Sequence, residues 1–314
     1  MPVKKSPRKG SLQFWPRKRA KKFLPRVNWN VINSDKTLKG FIGYKAGMFS
    51  ISVKDNTPDS LTKGKTITVP ATLIECPPIK VFAIRFYKNG KVVDQITTQN
   101  IDKEIKRKIK VAKKGVEKKF EEIKEHDDIR VLVYSQVKKT KIKKTPDLIE
   151  VGLSGSLDEK TNFAKENLGK EISLQSVFEL GELADVKGLT KGKGLSGPVK
   201  RFGITLKSHK SEKGRRRPGS LGPWHPARVT FRVPQAGQLG MFTRTIYNNK
   251  IMGIGNAKDT PLNGVKNFGD IKTDYLLIRG SIQGAIKRQL ILTHSLRPTK
   301  KQLKKNFELI KIIR

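Results

Sequence analysis

Residues 40–53 read GFIGYKAGMFSISV, an apolar and β-branched run punctuated by glycine. Three further runs of this kind follow at residues 67–74, 80–87 and 92–97. The dipeptide Asn89-Gly90 lies between the last two runs and is a hairpin-turn signal. Runs of this length and composition are typical of strands, and several in succession favour a sheet that closes on itself. The sequence therefore predicts a mainly β protein with a closed barrel at its core.

A different periodicity follows the fourth run. Apolar side chains recur every three or four residues over 101–123, which predicts an amphipathic helix. Residues 129–134 read as a strand, and a second helix is expected over 157–168, because Ser156 and Glu159 have the spacing of a capping box. We therefore expect an α/β insert within the mainly β protein.

The strand pattern returns after residue 172. Strands are predicted at 275–279 and 289–294, residues 224–255 look strand-rich, and a short basic tail ends the chain. The predicted divisions are an extended basic arm at 1–38, the first part of the barrel body at 39–97, the α/β insert at 98–170, barrel strands with a basic glycine-rich segment at 171–206, a long loop at 207–230, and the remaining barrel strands with the tail at 231–314.

The charge balance is strongly positive. The 314 residues include 67 Lys and Arg against 27 Asp and Glu, a formal net charge of +40. Like charge at this density repels itself, and a polyanion partner relieves the repulsion. No apolar run approaches the roughly 18 residues that a bilayer requires, and the basic N-terminus lacks the apolar region of a signal peptide. A basic amphipathic helix on a membrane surface stays open, but nucleic acid is the better-supported partner.

Cysteine and histidine usage gives no sign of a metal or disulfide framework. Cys76 is the single cysteine, which fits a reducing compartment and, at the end of an apolar run, a buried structural thiol. The four histidines are scattered without metal-ligand spacing. We expect no metal, no cofactor and no small-molecule substrate.

The N-terminal segment is rich in cations. Residues 1–26 carry ten basic side chains and no acid, which predicts an extended arm that does not fold alone. A solvated tail is the alternative. The aromatic side chains of Phe14 and Trp15 favour RNA, because they can stack on bases while the basic residues 17–19 contact phosphates.

A second cationic segment lies in the C-terminal half. Residues 187–217 hold eleven Lys and Arg and one acid, and hydrophobic periodicity is nearly absent from 207 to 223, which predicts a long functional loop. The arginines at 215–217 can bind phosphates or stack on bases. Trp224 stands next to two prolines in a polar loop, so we do not expect an ordinary core residue there, with packing in a local cluster as the alternative. His225 has no carboxylate or nucleophile nearby in sequence, which favours packing or hydrogen bonding over catalysis.

Sequence motifs associated with nucleotide-binding enzymes occur in the chain, but the residues around them do not support that interpretation. Residues 192–197 fit the dinucleotide pattern GxGxxG, but Pro198 follows at once, no amphipathic helix is expected there, and the next segment is basic. A phosphate-binding Walker loop fails on its spacing. The glycines are better explained by close backbone approach to phosphates. The sequence predicts no enzyme, although an RNA-modifying enzyme and a chromatin-type DNA binder remain as alternatives.

Several separated motifs of the chain are distinctive. They are Pro7-Arg8-Lys9-Gly10-Ser11-Leu12 with Trp15-Pro16-Arg17-Lys18-Arg19-Ala20, Gly43-Tyr44-Lys45-Ala46-Gly47-Met48, Gly188-Leu189-Thr190-Lys191-Gly192-Lys193-Gly194 with Val199-Lys200-Arg201, and Gly222-Pro223-Trp224-His225-Pro226-Ala227-Arg228. In these motifs and their order, the chain resembles the universal large-subunit ribosomal protein L-three family, of the archaeal and eukaryotic type, over nearly its whole length.

The resemblance implies a translation-protein-type β-barrel, an arm and a long central loop that pass through rRNA, and a Trp224 tip near the peptidyl transferase centre. It also implies early binding near the 3′ end of 23S rRNA, a role in nucleating subunit assembly in the cytoplasm, and neighbours of the L-fourteen and L-twenty-four-e types. The rRNA-binding residues that it implies, together with the charge pattern, are Arg8, Lys9, Trp15, Arg17, Lys18, Arg19, Lys45, Lys191, Lys193, Lys200, Arg201, Lys207, Lys210, Lys213, Arg215, Arg216, Arg217, Trp224, His225 and Arg228.

One position departs from the family pattern. Glu212 stands where many eukaryotic members carry a modified histidine, and His209 lies three residues away. We therefore do not carry that modification over to this chain.

Overall fold

The computed structural model describes residues 7–110, 120, 123 and 125–313 of the chain. The fold is mainly β, with 36% of residues in strands and 11% in helices, as predicted. The strands are β1 Gly40–Asp55, β2 Thr66–Glu75, β3 Ile79–Lys88, β4 Lys91–Thr97, β5 Asp128–Ser135, β6 Leu148–Gly152, β7 Glu171–Ile172, β8 Leu183–Leu189, β9 Leu195–Ser196, β10 Gly237–Gln238, β11 Thr243–Asn256, β12 Asp274–Arg279, β13 Gln289–His294 and β14 Phe307–Ile313. The α-helices are α1 Leu157–Asn167, α2 Pro198–Phe202 and α3 Lys300–Leu303, and short 3-10 segments span Trp29–Val31, Ile105–Arg107 and Val137–Thr140.

The chain divides into two compact units. The larger unit comprises Phe23–Gly188 and Arg244–Arg314, and the smaller unit comprises Met1–Lys22 and Leu189–Thr243. Within the span predicted as an extended arm, Trp29 and Ile32 are buried in the core of the larger unit. Buried apolar side chains after Lys22 therefore pack in the larger unit, while the stretch before it, whose charged side chains are all basic, belongs to the smaller one.

The larger unit is built around β1. A seven-stranded sheet has the order β13-β8-β11-β12-β2-β1-β14, and β1 pairs in addition with β13. The first half of β1 pairs with β13, from Gly40 opposite Thr293 to Tyr44 opposite Gln289, and its second half pairs with β14. The other edge of β1 pairs with β2 along most of its length. Ladders on both edges are consistent with the burial of most of β1, including the whole of its first half.

A second, five-stranded sheet contains β4-β3-β5-β6, with β7 also paired to β3. The strands β3 and β4 lie in the span predicted as the first part of the barrel body, yet they pair with the strands of the α/β insert. The chain changes sheets at Pro77-Pro78, because two prolines in succession cannot donate the hydrogen bonds that continue a ladder. Asn89 and Gly90 both have positive φ, so the predicted hairpin turn is confirmed.

The two predicted helices have different outcomes. Helix α1 is confirmed with its capping box, in which the Ser156 side chain accepts from the Glu159 N–H and the Glu159 carboxylate accepts from the Ser156 N–H. In residues 101–110 of the other predicted helix, the only helical segment is the 3-10 turn Ile105–Arg107. Residues 111–119, 121 and 122 of that prediction lie outside the described residues.

Two expectations for the C-terminal part of the chain are met only in part. Residues 224–255 were expected to be strand-rich, and β10 and β11 confirm this from residue 237 onward, whereas 224–236 form turns and bends, because prolines at 226 and 234 remove ladder donors. The expected basic tail instead forms α3 and β14, and β14 pairs with β1. The apolar side chains of Phe307, Leu309 and Ile312 pack against a core cluster of the larger unit, which stabilises the terminal strand.

A buried polar network joins the two sheets of the larger unit. The Tyr44 hydroxyl on β1 donates to Asp147 Oδ2 at 2.6 Å and lies 2.7 Å from Ser135 Oγ on β5. The N–H of Asp147 donates to Ser135 Oγ at 3.1 Å, and Lys143 pairs with the Asp147 carboxylate. Tyr44 and Ser135 are completely buried, so each polar atom depends on these partners.

We expect Tyr44→Phe to lower the free energy of unfolding by about 1–3 kcal/mol, because the buried Asp147 and Ser135 each lose a partner. Urea unfolding followed by circular dichroism would measure the loss, with an unchanged m value. Tyr247→Phe is the matched control, because Tyr247 is 48% exposed. Equal stability of the two variants would contradict the structural role of the network.

Candidate nucleic-acid interface

The smaller unit is almost entirely cationic. Its two segments contain 21 Lys and Arg and a single acid, Glu212. The larger unit has 46 Lys and Arg against 26 Asp and Glu. Half of the net charge of +40 therefore lies in the smaller unit, where side-chain carboxylates of its own cannot neutralise it.

A short two-stranded ladder of β9 and β10, here called the neck, closes the long loop of the smaller unit. Strands β9 and β10 pair antiparallel, with Gly237 opposite Ser196. Gly240 next to the neck has φ +79°, and a Cβ there would lie 1.9 Å from the Lys191 carbonyl oxygen. Only glycine fits this close approach, which brings the two ends of the 197–236 excursion together.

Helix α2 follows β9 directly. Pro198 is at its first position, and Gly203, with φ +70°, ends it by donating to the Val199 carbonyl. Proline at the start and glycine just past the end is a known helix signature, so this helix could have been found in the sequence. We expected no amphipathic helix at Pro198, and α2 is a five-residue helix of little more than one turn that the sequence analysis did not predict.

An aromatic and cationic cluster connects the arm with α2 inside the smaller unit. The Arg17 guanidinium carbon lies 4.1 Å from the centroid of the buried Phe202 ring, which is cation–π geometry. Trp15 lies 6.0 Å from Phe202 and 5.8 Å from Phe231, measured between ring centroids. Gly10 has φ +80°, and a Cβ there would lie 2.5 Å from Phe202 Cδ1. The arm therefore has a packed structure of its own, which its composition did not indicate.

Arginines in this cluster bind backbone carbonyls. Arg17 donates to the Arg201 carbonyl at 2.6 Å, and Arg8 donates to the Arg232 carbonyl at 2.6 Å. Arg201 donates to the carbonyls of Gln238 and Gln235, each at 3.0 Å. Partial burial lowers the pKa of Arg201 from its ordinary value. These three side chains hold the arm and the neck together, a structural role that the sequence did not separate from RNA binding.

Most of the predicted rRNA-binding residues are exposed on the smaller unit. They are Arg8, Lys18, Arg19, Lys191, Lys193, Lys200, Lys207, Lys210, Lys213, Arg215, Arg216, Arg217, Trp224, His225 and Arg228. Lys9, Trp15, Arg17 and Arg201 are half-buried in the same unit. The exposed cations and the long loop thus belong to one compact part of the chain.

Lys45 is the exception, and its assignment as an rRNA contact is corrected by the structure. It lies on β1 in the larger unit, and its side chain is buried. Its Nζ donates to the carbonyl oxygens of Ile282 at 2.6 Å and Gly284 at 3.3 Å. A buried ammonium group requires such acceptors, so this lysine serves the fold.

The far part of the loop carries exposed apolar side chains. Trp224 is 82% exposed, so it does not fill a local cluster, and Phe231 is 64% exposed. Leu221 and Val229 are also exposed. Large aromatic faces beside cations have the chemistry that stacks on unpaired bases.

Charges in the larger unit are arranged differently. Glu150 accepts from Arg85 at 2.9 Å and from Arg130 at 3.1 Å, and Lys160 pairs with Asp128 at 2.8 Å. Burial alone would raise the pKa of Asp128, but hydrogen bonds from Lys160 and Arg130 lower it below its ordinary value. This network neutralises charge on the protein itself.

The described residues give no sign of two other kinds of site. They contain no group of three or more His, Cys, Asp or Glu side chains that could hold a metal ion. None of the helices in the described ranges combines the length and the apolar composition that a membrane crossing requires.

Comparison with known proteins decides the family. The family model described as Ribosomal protein L3 matches residues 1–312. The chain belongs to the ribosomal protein L3 family. It is 40% identical to the large ribosomal subunit protein uL3 of Methanocaldococcus jannaschii, over 95% of this chain and 93% of the relative. The proteins of the same name from Methanothrix thermoacetophila and Archaeoglobus fulgidus are each 41% identical, over 93% and 94% of this chain and 92% and 93% of the relatives.

Membership of the L3 family settles the general role. The chain is a structural constituent of the large ribosomal subunit and not an enzyme, which removes the RNA-modifying alternative. Its location is that subunit in the cytoplasm, and its partners are rRNA and other ribosomal proteins.

The packing of the L3 arm can be tested through Gly10. We expect Gly10→Ala to loosen the arm at a cost of roughly 1–3 kcal/mol, because the new Cβ would combine positive φ with a 2.5 Å contact to Phe202. Trypsin cleavage after Arg17 in the free protein should become about five- to a hundredfold faster. Gly219→Ala is the control, because a Cβ there meets nothing within 4 Å. If both variants were cleaved at the wild-type rate, the cluster would not order the arm.

Proposed function

We propose that the smaller unit binds rRNA directly, near the 3′ end of the 23S molecule. The charge imbalance of this unit carries the proposal, because 21 cationic side chains accompany one carboxylate. Phosphate groups of folded rRNA would supply the missing negative charge, with release of counterions as the driving force. The half-buried Arg17 and Arg201 hold the unit in shape, and the exposed cations of the arm and loop contact phosphates.

The finer role rests on the family resemblance. Early binding near the 3′ end would nucleate subunit assembly, with proteins of the L-fourteen and L-twenty-four-e types as neighbours. The long loop would place Trp224 toward the peptidyl transferase centre. Its 82% exposure supports this role, because an exposed tryptophan in a protein that works inside a ribonucleoprotein has a surface to offer to RNA.

A closed barrel is the proposed architecture of the larger unit. Support comes from the pairings, because β1 pairs with both β2 and β13. The path β1-β13-β8-β11-β12-β2 returns to β1 through hydrogen-bonded neighbours. A sheet that returns to its first strand has no free edge in that ring, which is the advantage of a barrel. The division into arm, barrel, insert and loop remains a prediction at its stated boundaries.

Electrostatic binding predicts a strong dependence on salt. If about ten cations contact phosphates, the slope of log Kd against log salt concentration should have a magnitude of about 7 for irregular RNA. Titrating the full chain with a 3′-domain rRNA fragment at several salt concentrations would measure it. A slope near zero would rule out the proposal. Competition with duplex DNA tests the chromatin alternative, and we expect a clear preference for structured RNA.

A second prediction concerns Trp224. Because its side chain is exposed, Trp224→Ala should leave the thermal unfolding of the protein unchanged within about 0.5 kcal/mol and yet impair translation by ribosomes that contain it. Leu61→Ala is a suitable control, since Leu61 is 99% exposed on a turn of the larger unit. Unfolding of the isolated Trp224 variant would show that the tryptophan supports the fold instead.

A further inference from the structure

The chain leaves the larger unit at three places. It crosses from Lys22 to Phe23, from Gly188 to Leu189 and from Thr243 to Arg244. The first crossing carries the arm, and the other two carry the ends of the long loop. Residues of the larger unit that bond to the chain at these three crossings would fix the positions at which the cationic segments begin.

One side chain forms hydrogen bonds to the backbone beside two of the three crossings. Gln283 lies in the loop between β12 and β13, and its Nε2 donates to the carbonyls of Val186 at 2.9 Å and Arg244 at 3.1 Å. These carbonyls belong to β8 and β11, the strands that lead into the loop segments. Gly188 keeps the space open, since a Cβ there would lie 2.5 Å from Leu290 Cδ2 and 3.4 Å from Gln283 Nε2.

The Gln283 side chain forms its hydrogen bonds through the donor nitrogen of its amide. Its Oε1 is buried and has no hydrogen-bond partner among the described residues, while both N–H groups of the amide are occupied. An orphaned buried acceptor is unfavourable. The bridge that its amide nitrogen makes between the two strands compensates for this cost.

The same loop also contacts the chain at the third crossing, between Lys22 and Phe23. The Arg288 guanidinium carbon lies 5.3 Å from the centroid of the Phe23 ring, and Phe23 is the first residue of the larger unit after the arm. Burial lowers the pKa of Arg288, consistent with packing under the ring. A planar guanidinium on an aromatic face fixes orientation as well as distance.

The loop itself is anchored on β1. Lys45 Nζ donates to the carbonyls of Ile282 and Gly284 on either side of Gln283. The Lys45 backbone adds two bonds, because its N–H donates to the Arg288 carbonyl at 3.0 Å and its carbonyl accepts from the Lys287 N–H at 2.8 Å. The loop is therefore held by β1, a strand most of whose residues are buried.

We propose that residues 280–288 are a positioning loop for rRNA binding, with Gln283 and Arg288 as its positioning residues. The loop fixes the three places at which the arm and the two ends of the long loop leave the larger unit. The segments that carry the cations therefore begin at defined positions before RNA binds. This inference rests on the proposed rRNA binding. Prearrangement raises affinity without adding contacts, because less conformational freedom is lost on binding.

The test uses the full-length Gln283→Leu variant, which removes the donor and keeps a side chain of similar size. Hydrogen exchange should become about tenfold faster in peptides covering 183–190 and 243–250, with no change in β3 and β5. The Kd for the 3′-domain rRNA fragment should rise about tenfold at fixed salt. The salt slope should stay unchanged, because every cation is still present.

Gln175→Leu is the matched control, because Gln175 is exposed in the larger unit, and it should alter neither exchange nor affinity. Arg288→Lys keeps the charge but loses the flat stack on Phe23, so it should weaken RNA binding with the same salt slope. If Gln283→Leu does not fold, Gln283→Asn and Arg288→Lys carry the test.

Two results would overturn the positioning role. Faster exchange in all strands would mean that Gln283 only stabilises the fold, and a wild-type Kd despite faster local exchange would mean that the held places do not matter for RNA. Failure of the wild-type protein to bind the rRNA fragment would instead overturn the proposed function.

Discussion

Charge without counter-charge is the constraint on which this structure depends. The smaller unit concentrates 21 cations beside one carboxylate, so it cannot be held together by ion pairs of its own. Beside its β-ladder and its aromatic ring contacts, two kinds of arginine contact hold it, arginine to backbone carbonyl and arginine to aromatic ring. Both kinds use the guanidinium without neutralising it, and the unit keeps its positive potential while still having a packed interior.

The larger unit supplies what the smaller one lacks. It has enough apolar residues for a core, carboxylates that pair with its lysines and arginines, and β1 as a strand with partners on both edges. Neighbouring residues of β1 have different structural roles. Tyr44 connects β1 to the second sheet, and Lys45 anchors the loop at 280–288. A single strand therefore organises both the core and the places where the chain leaves it.

Sequence patterns predicted the parts of this fold that depend on local chemistry. The mainly β class, the Asn89-Gly90 hairpin and the capped helix α1 follow from propensity, turn geometry and capping, which act over a few residues. Strand partners depend on distant segments, so the assignment of β3 and β4 to a second sheet was not predictable. The site shows the same division, because a cluster of cations is visible in sequence, whereas the burial of Lys45 and the packing of Arg17 on Phe202 require the folded chain.

The choice of carbonyl acceptors also separates the two units in their response to acid. In the larger unit, the lowered pKa of Asp128 contributes stability that is present above the ordinary carboxyl pKa and is lost as pH falls through the folded value. A carbonyl oxygen has no proton to gain in that range, and arginine stays charged throughout. Acidification would thus weaken the scaffold while leaving the bonds from Arg8, Arg17 and Arg201 unaltered, so the cationic part of the protein is built from contacts that do not titrate.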